Sequence, residues 1–170
     1  GYIAHLEFAN EIWEAAQGEN VSMLLIAAVA EQESAWNEDV MYGRMLSPAG
    51  AMGTMQIMPG TLTAIEGRLG VAINPFDPGQ SIRAGANELR FLKDYFGEQA
   101  TMENVLAGYN AGPRHVKESL AWGDSWGQGI DDPDYGVPNI DETHRYLGYG
   151  DHIGVPQRMH RMSTNATTIS

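Results

Sequence analysis

The feature that most constrains this chain is an apolar stretch that becomes polar at its end. Residues 21–30 are apolar on nearly every side, and the polar run Glu31–Ser34 follows directly. A segment of this kind has to be surrounded by other elements, so we expect a buried central helix from Val21 to about Ala35. Asn20 or Ser22 is expected to cap its start.

Apolar residues at helical spacing predict further helices on both sides of this segment. Residues 36–52 hold turn-forming residues and are expected to form a loop, and residues 53–58 a short extended piece. Strand signals are few, so the predicted fold class is mainly α, with one domain over residues 1–152 and a polar tail over residues 153–170 that is expected to be extended or poorly ordered. The other predicted helices cover residues 3–17, 61–68, 81–97 with Ser81 as cap, 102–109 and 114–120, and one more starts near Asp141.

Composition and charge exclude several classes of function. Ten Lys and Arg against 22 Asp and Glu give a net charge of −12, which repels nucleic-acid phosphates and anionic lipid headgroups. The chain has no cysteine, so disulfide frameworks and thiolate chemistry are excluded. The longest apolar run is far short of the roughly 20 residues that span a bilayer. We therefore expect a soluble protein that binds no nucleic acid and does not insert stably into a membrane.

One carboxylate lies on the apolar face of the predicted central helix. Leu25, Val29, Glu33 and Trp36 are spaced four, four and three residues apart, which places them on one stripe. Burial disfavours the charged form of a carboxyl group and raises its pKa, as a general acid at neutral pH requires. On spacing alone, the alternative is a solvated Glu near a helix end.

Four short segments resemble the motifs of the soluble lytic transglycosylases. Residues 30–37 (AEQESAWN) are similar to the catalytic Glu-Ser motif, residues 47–59 (SPAGAMGTMQIMP) to the second motif, and residues 107–113 (AGYNAGP) to the third. Residues 142–146 (ETHRY) are a weaker match to a fourth. The motifs occur in the family's order, so the chain is identified as a member of this family.

The resemblance implies a lysozyme-like fold with a substrate groove and a peptidoglycan-cleaving activity. Glu33 would protonate the oxygen that joins N-acetylmuramic acid to N-acetylglucosamine and then take the proton of the C6 hydroxyl. The product would be a 1,6-anhydromuramoyl end, formed without water. One carboxylate suffices for this chemistry, whereas ordinary glycosidases use two.

The same resemblance implies roles for other residues around Glu33. Ser34 and Ser47 would shape or polarise its surroundings, and Tyr109 would lie close to its carboxyl group. Without the family match, each of these residues has a structural interpretation as core, turn or close packing. The substrate-binding or supporting residues implied are Ser34, Ser47, Met55, Gln56 and Met58, followed by Tyr109, Asn110, Glu142 and Tyr146.

The sequence also departs from the family pattern. Residues 39–46 lengthen the loop between the first two motifs, which would reshape the groove wall. Gly108 stands where alanine is usual, and His144 stands where an arginine is expected. Residues 137–141 fit the family poorly, so the alignment of the fourth motif is the weakest.

Two alternatives keep the fold but change the activity. A goose-type lysozyme would use Glu33 with a second carboxylate that positions water, for which Glu38, Asp39 and Asp77 are candidates. A non-catalytic wall-binding or virion module would keep the groove alone. Otherwise Glu31 and Glu38 are expected to be solvated.

Metal and cofactor chemistry is not expected. The five histidines form no HExxH pair, and Asp132, Asp134 and Gly136 match only part of a calcium loop. The predicted partner is the peptidoglycan glycan strand. The sequence does not determine whether the chain also belongs to a larger assembly, such as a virion or a secretion or wall-remodelling machine. The expected site of action is extracytoplasmic, in the periplasm or cell wall or on a phage particle. The chain starts at Gly1 without a basic-then-apolar leader, so we expect a processed form or an excised domain.

Overall fold

The computed structural model describes residues 4–121 and 139–169, with side chains from His5 to Ala121 and from Asn139 to Thr164. The partial calcium loop at Asp132, Asp134 and Gly136 lies outside the described residues, as do Val137 and Pro138 of the poorly fitting segment.

The described residues form α-helices joined by turns and loops, which confirms the mainly α class. Two 3-10 helices lie at Ala4–Phe8 and Gly97–Gln99. The α-helices are α1 (Ala9–Glu19), α2 (Met23–Ser34), α3 (Glu38–Met41), α4 (Pro59–Leu69), α5 (Pro78–Phe96), α6 (Met102–Ala111), α7 (Pro113–Ala121), α8 (Ile140–Leu147) and α9 (Val155–Ile169).

The chain divides into two compact units. The described residues up to Arg90, together with those from Arg158 onward, form the first unit, and the described residues between 91 and 157 form the second. The first unit contains α1 to α4, and its core includes Ile12, Ile26 and Ile65. The second unit contains α6 to α8, with Leu106, Val116 and Leu147 in its core.

Helix α2 is the buried helix that the apolar stretch predicts. Residues 25–31 are all buried, and the Ser22 hydroxyl caps the start by accepting a hydrogen bond from the Leu25 amide at 3.4 Å. Of the two cap candidates, Ser22 is therefore the correct one. The helix ends at Ser34, and the capping residue Ala35 has a left-handed backbone with φ of 51°.

Helix α5 begins earlier than the sequence suggests. It starts at Pro78, and the Asp77 carboxylate accepts a hydrogen bond from the Gln80 amide at 3.0 Å. Proline suits a first helical turn because its missing N–H would have no partner there. Ser81, predicted as the cap, instead lies inside the helix and is completely buried. The apolar face predicted for this helix is buried at Ile82, Ala86, Leu89, Leu92 and Phe96.

The short extended piece predicted at residues 53–58 is a tight turn. One antiparallel bridge joins Met52 to Ile57, with backbone hydrogen bonds of 3.0 Å in both directions. This bridge is the only β pairing within the described residues. The loop predicted over residues 36–52 also contains the single helical turn α3, which the Asn37 side chain caps.

The prediction of an extended tail is wrong for most of its length. Residues 155–169 form α9, and Val155 and Met162 on this helix are buried. Val155, Met159 and Met162 are spaced four and three residues apart, which is a helical pattern among polar residues. None of the helices in the described ranges combines the length and apolar character needed to cross a bilayer.

Candidate active site

Glu33 lies in the last turn of α2, and its side chain is half-buried. The buried residues before it fix the helix in the core of the first unit, so the backbone of Glu33 belongs to a rigid element. Next to it, the Ser34 hydroxyl donates to the Ala30 carbonyl at 3.0 Å and accepts from the Trp36 amide at 3.3 Å. Ser34 therefore shapes the helix end that carries Glu33.

The chain leaves α2 through two consecutive left-handed residues. Ala35 and Trp36 have φ of 51° and 57°, which is uncommon for residues with a side chain and rare for one as large as Trp. Trp36 is buried and stacks on Phe8, with ring centroids 5.7 Å apart. Packing of the indole therefore holds a strained turn directly after the candidate acid.

Glu31 is buried and paired, so the expectation that it is solvated is wrong. Its side chain accepts hydrogen bonds from two arginines of α9, Arg158 at 2.8 Å and Arg161. Arg158 also donates from Nε to the Gln32 side chain at 2.8 Å. Burial alone would raise the pKa of Glu31, but the hydrogen bonds and charges of the two arginines outweigh burial and hold this pKa below its ordinary value.

Sequence reasoning misses this cluster because it predicts a tail where the structure has α9. The signal was present in the sequence. Arg158 and Arg161 are three residues apart, so on a helix they share one face. Recognition of α9 would have grouped the two arginines on one surface, without identifying Glu31 as their partner.

The second motif packs against α5 within the first unit. The Met55 amide donates to the Ser81 hydroxyl at 3.0 Å, and this bond explains why Ser81 is buried rather than a helix cap. A Cβ atom on Gly53 would lie 1.7 Å from the carbonyl oxygen of Pro75, and Gly53 has φ of +75°. Only glycine fits this position.

Met55 does not lie along a surface groove, contrary to the resemblance-based prediction. Its side chain is 0% exposed and packs against the backbone of Gly85, where a Cβ atom would come within 2.3 Å of the Met55 methyl group. Its structural interpretation as a core residue is the correct one.

The other candidates in this motif reach the surface. Gln56 has a left-handed backbone with φ of 50°, and its side-chain amide donates to the Gly53 carbonyl at 2.9 Å. Met58 is 42% exposed at the start of α4. The Ser47 hydroxyl accepts from the Ala49 amide at 3.3 Å and shapes the turn before the motif. Gln56 and Met58 are accessible to a ligand, and their role in sugar binding stays a prediction.

In the second unit, the third and fourth motifs meet. The Asn110 side chain donates to a Glu142 carboxylate oxygen at 3.3 Å and accepts from the Thr143 hydroxyl at 2.8 Å. The other Glu142 oxygen accepts from the Asn139 side chain at 2.8 Å. The structure thus brings two predicted site residues together despite the weak fourth motif. Thr143, buried between them, was not anticipated.

Two aromatic candidates in this unit differ in exposure. Tyr109 is half-buried, in the last turn of α6, and its predicted place beside the Glu33 carboxyl group stays a prediction. Tyr146 is buried at 3% exposure, so its side chain is not presented at the surface.

Close packing explains why the third motif has glycine at position 108, where alanine is usual. A Cβ atom at Gly108 would lie 2.9 Å from a Leu92 methyl group and 3.0 Å from the Phe96 ring. Alanine would require these core side chains to move. The departure therefore reflects how closely α6 approaches Leu92 and Phe96.

The carboxylates considered as a second catalytic group all have local partners. Asp39 and Glu38 lie 2.7 Å and 4.0 Å from Arg44, and all three side chains are exposed. Asp77 caps α5. Within the described residues, no group of three or more His, Asp or Glu side chains is arranged to hold a metal ion.

Comparison with known families places this site in context. Residues 10–124 match the family described as "Transglycosylase SLT domain". The match covers more than half of the chain, and the chain belongs to this family.

Individual relatives support the same assignment. The chain is 35% identical over 109 residues to the soluble lytic murein transglycosylase of Salmonella typhimurium, an alignment that covers 61% of this chain and 16% of that protein. It is 35% identical over 118 residues to the transglycosylase of Enterobacteria phage PRD1, which covers 69% of this chain and 38% of the phage protein. The chain therefore spans only a part of these relatives.

Solved structures share the fold, which confirms the lysozyme-like class. An inactive mutant of the lytic transglycosylase Slt from Pseudomonas aeruginosa matches with a TM-score of 0.68 and 24% identity, covering 93% of this chain and 24% of that one. The 70-kDa soluble lytic transglycosylase of Escherichia coli matches with a TM-score of 0.57 and 27% identity, covering 88% of this chain and 25% of that one.

Proposed function

We propose that this chain is a peptidoglycan lytic transglycosylase domain in which Glu33 is the catalytic acid and base. The observation that carries the proposal is the placement of Glu33 within the family's Glu-Ser motif. It is half-buried at the end of a buried helix whose last turn is fixed by Ser34 and by the left-handed residues after it. A carboxyl group partly removed from water can hold a proton near neutral pH and donate it.

The proposed reaction needs one carboxyl group and no cofactor. Glu33 gives its proton to the oxygen between N-acetylmuramic acid and N-acetylglucosamine, and the bond from C1 to that oxygen breaks. The substrate's acetamido group stabilises the developing positive charge at C1. The C6 hydroxyl oxygen then bonds to C1 while Glu33 takes its proton, which restores the acid and leaves a 1,6-anhydromuramoyl end.

Further parts of the proposal concern binding and location. Gln56 and Met58, which are accessible, are proposed to contact the glycan, and Tyr109 and Ser47 to assist by hydrogen bonding. The proposed substrate is the peptidoglycan strand, and the proposed site of action is extracytoplasmic or phage-borne. The named relatives include both bacterial and phage transglycosylases, which supports either setting.

The test is the digestion of purified peptidoglycan with the wild-type chain and with Glu33→Gln, which keeps the size of the side chain but cannot transfer a proton. The muropeptides released are identified by mass spectrometry. The proposal expects wild type to release products one water lighter than their hydrolytic counterparts. Glu33→Gln is expected to slow their release by about 10³-fold or more, since it removes the only proposed acid and base.

Glu38→Gln is the matched control, because Glu38 is an exposed carboxylate five residues further along the chain. It is expected to retain wild-type activity. Hydrated reducing ends from wild type would instead identify a lysozyme. Failure of wild type to release any product would favour the binding module.

A further inference from the structure

Two arginines outside the family match are connected to the helix turn that carries Glu33. Arg158 and Arg161 lie on α9, beyond the matched residues 10–124. Arg158 donates from Nη1 to Glu31 and from Nε to Gln32, both at 2.8 Å, and Arg161 donates to the same Glu31 oxygen. Glu31 and Gln32 directly precede Glu33, so the two arginines hold consecutive residues of one turn.

Glu31 and Arg158 are largely removed from solvent, whereas the Arg161 side chain is 38% exposed. The Glu31 side chain is 6% exposed and the Arg158 side chain 23%. Ion pairs and charged hydrogen bonds that are shielded from water are stronger and better oriented than pairs on the surface. Arg158 also uses two edges of its planar guanidinium at once, which fixes direction as well as distance.

The backbone connects this contact to the end of the helix. The Glu31 carbonyl oxygen accepts the Ala35 amide at 2.8 Å, and this bond closes α2 at its left-handed cap. Glu31 is therefore held by its side chain to α9 and by its backbone to the turn after Glu33. At about 100° per residue, Glu33 lies about 200° round the helix from Glu31, so the arginines hold the side opposite to the candidate acid.

We propose that Arg158 and Arg161 are positioning residues that hold the last turn of α2 and thereby aim the carboxyl group of Glu33. This inference rests on the proposed function, because it assigns a purpose to the orientation of Glu33. The C-terminal segment is then a working part of the site rather than an appendage. Small displacements of a reacting group are costly, and an error of about 1 Å can reduce the rate about a hundredfold.

The test compares Arg158→Met and Arg158→Lys with the control Arg114→Met. Arg114 is an exposed arginine on α7 that pairs with exposed Glu118. Two quantities are measured in each purified chain: amide hydrogen exchange of residues 30–37, and kcat and KM on a soluble glycan fragment. Hydrogen exchange does not depend on activity, so it reports on the helix end by itself.

For Arg158→Met we expect faster exchange of the Ala35 amide, unchanged exchange in α4, and a kcat reduced about ten- to hundredfold with KM little changed. Arg158→Lys keeps the charge but cannot reach Glu31 and Gln32 together. Its kcat should therefore lie between the kcat of wild type and that of Arg158→Met. If Arg158→Met fails to fold, Arg158→Lys provides the same comparison. Arg114→Met should match wild type.

The proposal is overturned if Arg158→Met leaves exchange and kcat unchanged. It is equally overturned if exchange rises throughout the first unit and activity falls only with the folded fraction, because the role would then be structural. An inactive wild type overturns the proposed function itself, and with it the role of the two arginines in aiming Glu33 for the reaction. An active wild type with an unchanged variant overturns only the positioning role.

Discussion

At the scale of single residues, the second motif is shaped by close contacts that only particular residues permit. Gly53 lies against the Pro75 carbonyl with a left-handed backbone, and Met55 fills the space over Gly85. Gln56 then follows in a left-handed conformation that a residue with a side chain adopts only when its surroundings require it. The buried neighbours thus determine where Gln56 emerges.

Gly53→Ala tests this account of the motif. The new methyl group meets the Pro75 oxygen and an unfavourable φ, so we expect the free energy of unfolding to fall by about 2–4 kcal/mol. Gly67→Ala is the control, because Gly67 lies inside α4 with no atom within 4 Å of its added Cβ. It should stabilise by roughly 0.5–1 kcal/mol, since alanine favours a helix. Urea unfolding of both variants measures the difference, and equal effects would contradict the account.

At the scale of elements, α2 and α9 are joined by a buried carboxylate with two arginines. The Glu31 pKa is lowered, so the charged form is favoured in the folded chain. Its contribution to stability is present above the ordinary value of 4.5 and is lost as the pH falls through the lowered pKa. The pKa of Glu88 is shifted in the opposite direction. Burial raises this pKa and outweighs the lowering effect of Arg68, which lies 2.7 Å away.

The two carboxyl groups therefore predict opposite changes in the pH dependence of stability. Glu31→Gln should reduce stability near pH 7 by about 2 kcal/mol and flatten the loss of stability below pH 4.5. In wild type, the raised pKa of Glu88 makes the free energy of unfolding decline as the pH rises above 4.5, and Glu88→Gln should remove this decline. Unfolding free energies measured between about pH 3 and pH 7 test both signs. Parallel curves for wild type and Glu31→Gln would show that Glu31 is not held as described.

Much of this element structure could be predicted from the sequence, because it depends on local patterns. The apolar run predicts α2, and the periodic face Ile82, Ala86, Leu89, Leu92 and Phe96 predicts α5. The pairing of Glu31 with Arg158 could not be predicted, since it joins residues 127 positions apart. The family motifs supplied Glu33, Gln56 and Tyr109, but they did not distinguish the inward-facing Met55 from its accessible neighbours.

At the scale of the whole molecule, the charge of −12 opposes the proposed substrate. Peptidoglycan walls are anionic, so an acidic chain is repelled at long range, and affinity has to come from close contacts. Salt screens such repulsion, and the screening length falls from about 30 Å at 0.01 M to about 8 Å at 0.15 M.

We therefore expect digestion of peptidoglycan at low substrate concentration to become several-fold faster over that range of salt. The effect should appear in KM and leave kcat nearly unchanged, because screening acts on approach. A short glycan fragment, which carries far fewer charges than the wall, serves as the control and should show a weaker dependence on salt. Slower digestion of peptidoglycan in added salt would instead indicate a local basic surface that attracts the wall.

The central claim is that Glu33 cleaves the glycan without adding water. The most direct measurement is digestion of purified peptidoglycan in water enriched in heavy oxygen, followed by mass spectrometry of the released muropeptides. The account predicts anhydro products that carry no heavy oxygen and are not formed by Glu33→Gln. Hydrated reducing ends that carry one heavy oxygen would contradict it and would identify a hydrolase.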